Sequence, residues 1–225
     1  MKSFLLIINF ISPLFVSCQL SPDGLIREAE EKLRTNKATI SQILTDKKYD
    51  VVHPETSFRE IIERYCKAET ISIATDTIPG RKIKVIGIIK DETGRAIPNA
   101  LVYLYHTDSR GWYAANSPHV NMNEGDMRHA RLFGYVRTDK EGKFELHTIK
   151  PSGYPQSDLP AHIHVHVTAE GYRNFVNEFL FDDDERLVSQ IRENSVRNKF
   201  MISKPEKAES PFAQKFTYSI TLQKR

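Results

Sequence analysis

The sequence predicts an all-β fold, an antiparallel β-sandwich carrying an N-terminal helical arm. Two observations predict the sandwich. Seven short apolar segments follow Pro79-Gly80 with no helical pattern between them, and clusters of turn-forming residues separate several of them. A third predicts the arm: over residues 21–68 the apolar positions recur at helical spacing. A chain of 225 residues with 40% hydrophobic and 27% charged content can bury such a core without staples. Two cysteines exclude a disulfide scaffold and a cysteine-based zinc site. The net charge is +3 and no stretch concentrates the basic residues, which argues against a nucleic-acid partner.

The elements follow in chain order. Lys2 precedes an apolar run from Phe4 to Val16 that is too short to span a bilayer comfortably, so residues 1–17 read as a signal peptide and the protein as exported. The Ser17-Cys18 pair has the form of a bacterial lipobox, so Cys18 is expected to be lipidated and to anchor the mature chain to a membrane. The alternatives are plain cleavage nearby, leaving a periplasmic or extracellular protein, and a Cys18–Cys66 disulfide. Residues 18–78 form the arm and linker. Leu25, Ala29 and Leu33 make one helical face, and Ser57 with Glu60 has the form of a capping box ahead of Phe58, Ile61, Ile62 and Tyr65.

Residues 79–225 form the sandwich domain. In its first strand Ile83, Val85, Gly87 and Ile89 alternate with Lys82, Lys84, Ile86 and Ile88, before the turn Asp91-Glu92-Thr93-Gly94. Further strands are expected over 100–105, 133–136, 143–149, 161–168, 174–181 and 216–222, with turns at Asp139-Lys140-Glu141-Gly142 and Glu170-Gly171. Residues 182–185 and 189–211 are polar and read as surface loop. Residues 106–132 are long and without periodicity, and a loop of that length inside a compact domain is usually functional.

Seven of the eight histidines lie between His106 and His166, and three of them form His162-Ile163-His164-Val165-His166. Side chains two apart on a strand share a face about 6.6 Å apart, so His162 and His164 can both reach one metal, while Ile163, Val165 and Val167 pack into the core. A solvated histidine face is the alternative. The remaining ligands are open on the residues alone: Asp or Glu would complete a non-haem iron or zinc site. Tyr154, eight residues before His162, and Tyr113, inside the long loop, are further candidates.

The landmarks Ile97-Pro98-Asn99-Ala100, Tyr105-His106-Thr107-Asp108, Gly111-Trp112-Tyr113, Thr138-Asp139-Lys140-Glu141-Gly142, Thr148-Ile149-Lys150-Pro151, Tyr154-Pro155 and Pro160-Ala161-His162-Ile163-His164 resemble, in order and spacing, the intradiol ring-cleavage dioxygenases over roughly residues 79–182. The resemblance implies a mononuclear non-haem Fe(III) held by Tyr113, Tyr154, His162 and His164. It also implies an enzyme that takes a catechol-type aromatic diol and O2, inserts both oxygen atoms, and releases a muconate-type diacid without an external reductant. His166 falls outside the implied ligand set. Phenolate is a hard anionic donor that suits Fe(III), and coordination to a cation lowers a phenol pKa far below its usual value of about 10. Two positions depart from the family pattern. Leu159 stands where family members carry an Arg, and Glu178-Phe179 stands where they carry a Gln, with the register open by one residue. Arg110, Arg128 and Arg131 are the candidates to replace the missing charge. The departures keep two other readings in view, a non-catalytic transthyretin-like binding module and a different metal enzyme on the same scaffold.

Overall fold

The computed structural model describes residues 20–68, 70–114 and 130–225. The expected signal peptide, Cys18 and Arg128 lie outside the described residues. Three helices open the described chain: α1 (Pro22–Arg34), α2 (Ile40–Thr45) and α3 (Thr56–Tyr65), with a 3-10 turn over Lys47–Val52. In α1 the buried positions are Ile26, Ala29 and Leu33, with Leu25 at the margin, so the apolar face is rotated slightly from the expected one. Ser21 caps this helix through its hydroxyl, and Pro22 sits in the first turn, where its missing N–H costs nothing.

The expected capping box at Ser57 and Glu60 is corrected. α3 starts at Thr56 with Glu55 as its N-cap and no side-chain cap bond, so Ser57 already lies inside the helix. The reciprocal box is instead at α2, where Thr39 accepts from the Gln42 N–H and the Gln42 side chain accepts from the Thr39 N–H. The buried face of α3, Phe58, Ile61 and Ile62, is the expected one.

Among the described residues the β part has nine strands: β1 (Thr70–Ser72), β2 (Lys82–Asp91), β3 (Leu101–His106), β4 (Leu132–Arg137), β5 (Lys143–Ile149), β6 (His162–Thr168), β7 (Phe175–Phe181), β8 (Met201–Ser203) and β9 (Gln214–Leu222). They form a four-stranded sheet in the order β1-β5-β2-β9 and a five-stranded sheet in the order β4-β3-β6-β7-β8. Residues of both sheets and of the three helices share one buried core. Phe179 of β7 stacks on Tyr218 of β9 across it, with ring centroids 4.0 Å apart.

The sheets are mixed rather than purely antiparallel. β1 pairs with β5, β2 with β9 and β7 with β8 in parallel. Parallel neighbours need a crossover, and the sequence reading missed the crossover before β8. There, within the expected polar loop, lies α4 (Ser189–Arg197). Ser195 is the only residue of α4 that is buried, so this helix has no apolar stripe for a sequence to reveal. β1 and β8 are three residues each, too short to show an alternation.

β6 is the strand that matters most for chemistry. Ile163, Val165 and Val167 are fully buried between the sheets, and His162, His164 and His166 therefore project from the outer face of the five-stranded sheet. α3 covers another part of that face. Its buried Arg59 donates to the Tyr103 hydroxyl and to the carbonyls of His53 and Ala130, and its guanidinium lies over the Phe133 ring.

Candidate metal centre

Two loops meet the outer end of β6. The first leaves β3 at His106 and carries Tyr113. Asp108 organises it, its carboxylate accepting from the N–H groups of Arg110 and Trp112 and from the Arg110 guanidinium. Gly111 then takes the left-handed conformation, with φ near 80°. The second loop, between β5 and β6, carries Tyr154. The two are tied together: Thr107 Oγ1 donates to the Ser152 carbonyl, the Ser152 N–H to the Asp108 carbonyl, and Ser152 Oγ to the Ser109 carbonyl. Where they cross, a Cβ on Gly111 would lie 2.3 Å from the Gly153 carbonyl oxygen. Arg186 fastens the second loop from below, one guanidinium nitrogen reaching the carbonyls of Tyr154, Ser157 and Leu159 at 3.0, 3.1 and 3.4 Å.

The result is a cluster of four donor atoms. Tyr113 Oη lies 2.7 Å from Tyr154 Oη and 2.9 Å from His164 Nε2. Tyr154 Oη lies 3.0 Å from His162 Nε2 and 3.4 Å from His164 Nε2. Tyr113 is 4% exposed and His162 6%. The Pro160 carbonyl, 2.8 Å from His162 Nδ1, can only accept, so Nδ1 carries the proton and Nε2 presents its lone pair. The His164 ring is clamped flat against Tyr105, its cross-strand neighbour, with centroids 4.4 Å apart and planes 7° from parallel. On its other side Glu178 sets a carboxylate oxygen 3.8 Å from His164 Nδ1.

The arrangement has the chemistry of a cation site. Donors about 2.1 Å from one ion sit about 3.0–3.4 Å from one another; the two Tyr154–imidazole separations, 3.0 and 3.4 Å, lie in that range and the two Tyr113 contacts, 2.7 and 2.9 Å, fall just below it. Two phenol oxygens and two imidazole nitrogens thus face one another, a set of donors that can all turn lone pairs to one cation once the phenols are deprotonated. Burial first, and then the Tyr154 phenol, pushes the Tyr113 phenol far up, and burial raises Tyr154 as well. Both therefore stay protonated until a cation offsets that cost. His162, His164 and Glu178 also place ligand atoms within 4.8 Å of one another, but that spread is wider than the phenol–imidazole contacts.

A family model described as Dioxygenase matches residues 62–224. The chain belongs to the intradiol ring-cleavage dioxygenases. Among its curated relatives, a chlorocatechol 1,2-dioxygenase of Rhodococcus opacus is 29% identical over 140 residues, 55% of this chain and 52% of that protein. A catechol 1,2-dioxygenase of Acinetobacter baylyi is 28% identical over 60% of this chain and 50% of that protein. The chain thus spans about half the length of the curated relatives it matches. The crystal structure of catechol 1,2-dioxygenase from Pseudomonas arvilla C-1 superposes with a TM-score of 0.55 at 19% identity, covering 71% of this chain and 57% of that one. This likeness is one of fold.

In this member of the family the four residues expected from the sequence are brought together, and His166 is not among them. His166 meets Tyr103 edge-on instead, with centroids 5.8 Å apart. On β7, Glu178 pairs with His164 and shares its face of the sheet, while Phe179 is fully buried in the core. Arg110 is engaged by Asp108 and lies over the Trp112 ring. Arg131 lines a cavity of 380 Å³ with Lys47, Asp50 and Arg110, and none of the four donor residues lines it. Sequence reasoning missed Tyr105 and Arg186. Tyr105 was legible in part, since antiparallel pairing of the 100–105 and 161–168 strands brings an aromatic beside His164. Arg186 sits in a polar segment with no distinguishing pattern.

Proposed function

We propose that this protein is an Fe(III)-dependent intradiol dioxygenase that adds both atoms of O2 to a catechol-type aromatic diol and releases a muconate-type diacid. The observation that carries the reading is the convergence of two phenols and two imidazoles within hydrogen-bond distance of one another. Tyr113, Tyr154, His162 and His164 are the residues that would hold the iron. Fe(III) bound there would draw electron density from a chelated diol and make a ring carbon reactive towards O2.

The chain's own residues divide the remaining work. Tyr113, buried and tethered through its carbonyl to the Arg131 N–H, is the fixed phenol. Tyr154 is less buried and lies beside a turn, so it is the side chain that, once a bound cation had made it a phenolate, could take a diol proton on its Oη and swing out as the neutral phenol. Pro160 holds the His162 tautomer, and Tyr105 and Glu178 hold the His164 ring. The reading extends to the N-terminus, where residues 1–17 act as a signal peptide and Cys18 becomes a lipidated first residue that attaches the exported protein to a membrane. Among the described residues no helix is long and apolar enough to cross a membrane.

Two measurements test the proposal. Purified protein should contain about one iron per chain, show a visible tyrosinate–Fe(III) band, and consume one O2 per catechol without added NADH. A colourless protein holding zinc, or no metal, would sink it. Mass spectrometry of the membrane fraction should find an acylated chain beginning at Cys18, and an unmodified chain beginning at Met1 would sink the anchor.

A further inference from the structure

Glu178 is the charged side chain of this face that stands outside the four-donor cluster. Directly across from His164 on β7, it offers a carboxylate oxygen within 4.8 Å of ligand nitrogens of both His162 and His164. Its side chain is 27% exposed, so the charge is not sealed off. No Lys or Arg pairs with it among the described residues, and its one charged-group contact is His164 Nδ1.

Among the described residues, the arginines at the two site loops are engaged elsewhere. Arg186 is spent on the carbonyls of Tyr154, Ser157 and Leu159, and Arg110 is bound to Asp108. In the loop that carries Tyr154 and leads into β6, Leu159 presents a half-exposed apolar side chain, 51% accessible. Among the described residues, a diol held at the four donors would therefore share their face of the sheet with a carboxylate, and the position three residues before His162 is a leucine rather than an arginine.

We infer that this site selects diols by charge, accepting neutral or ammonium-bearing rings and rejecting carboxylate-bearing ones, with Glu178 as the discriminating residue. The inference rests on the reading of the site as one that binds aromatic diols. A fixed charge a few ångströms from a partly desolvated substituent is felt far more strongly than one across bulk water, and like charges are repelled by as much as opposite ones are drawn in.

The experiment uses the purified full-length protein, first without O2. Calorimetric titration gives Kd for catechol, for 4-(2-aminoethyl)catechol and for 3,4-dihydroxybenzoate, in wild type, Glu178→Gln and Leu159→Arg. The ammonium diol should bind at least about tenfold more tightly than the carboxylate diol, a ratio that shrinks as salt is added. Glu178→Gln should cut that ratio to about threefold or less. Leu159→Arg changes an exposed position three residues before His162 and should lower it independently, which guards against a Glu178 variant that merely disturbs His164. Admitting O2 then separates the two claims. If catechol is consumed but the two charged diols bind equally, or the variants leave the ratio unchanged, the charge selection is overturned and the dioxygenase reading stands. A charge order that follows Glu178 without O2 uptake leaves the selection standing and removes the reaction. Failure of every diol to bind overturns both.

Discussion

Substitution of Gly111 by Ala tests the idea that two crossing loops set the metal geometry. Gly111 sits at φ near 80°, where an L side chain costs about 1–2 kcal/mol. Its new Cβ would also meet the Gly153 carbonyl oxygen at 2.3 Å, about 1 Å inside ordinary van der Waals contact. Backbone cannot move aside as a side-chain end can, so the loops must part by about that distance. Tyr113 is two residues along one loop and Tyr154 is next to Gly153 on the other, with their oxygens 2.7 Å apart. Metal–ligand bonds tolerate only about 0.2 Å, so a parting of this size should cut iron affinity by about 100-fold. The stability loss should be about 2–3 kcal/mol, or roughly 5–10 °C in Tm for a chain of this size. Gly94 supplies the control: it has φ +84° but nothing within 4 Å of a built Cβ. Gly94→Ala should show the conformational cost alone, with full iron content and an unchanged visible band. Thermal melts with iron analysis check both variants. A Gly111→Ala protein that keeps full iron, the same band and a Tm within about 1 °C of wild type would refute the reasoning.

Other perturbations probe different parts of the same structure. Arg186→Ala frees the carbonyls of the Tyr154 turn; iron affinity should drop by about tenfold or more, with partial rescue by Lys, as read by iron retention against a chelator. Tyr154→Phe removes one oxygen from a half-buried side chain, so circular dichroism should be unchanged while the visible band weakens or bleaches. Ile163→Ala, on the fully buried face of β6, should cost about 2–5 kcal/mol in denaturant unfolding. Burial holds the His53 and His106 imidazoles neutral down to about 4. Their folded pKa values lie below the unfolded value of about 6.5, so the unfolded chain takes up protons first. Stability is then full above pH 6.5 and falls as pH drops towards 4, by up to about 1.4 kcal/mol per pH unit for each histidine. Unfolding curves at pH 7, 6 and 5 check the slope, and flat stability across that range would contradict it.

Local patterns carried much of the answer by themselves. The alternation of His162, Ile163, His164, Val165, His166 and Val167 decided which side chains face the core and which face outward, because a strand has only two faces. The spacing of Phe58, Ile61 and Ile62 decided the buried face of α3 in the same way. The ordered landmarks around Tyr113, Tyr154, His162 and His164 named the residues that come together before any distance was known. What the patterns could not carry were relations between segments remote in sequence. Strand direction depends on the path of a crossover, so the parallel pairings of β1, β8 and β9 were invisible locally. β7 could be shifted by one residue on paper, and the partnership of His164 with Glu178 appears only when β6 and β7 are paired. Arg186 is one more polar residue in the chain, and becomes an anchor of the site because folding lays it under three carbonyls that lie 27 to 32 residues away in sequence.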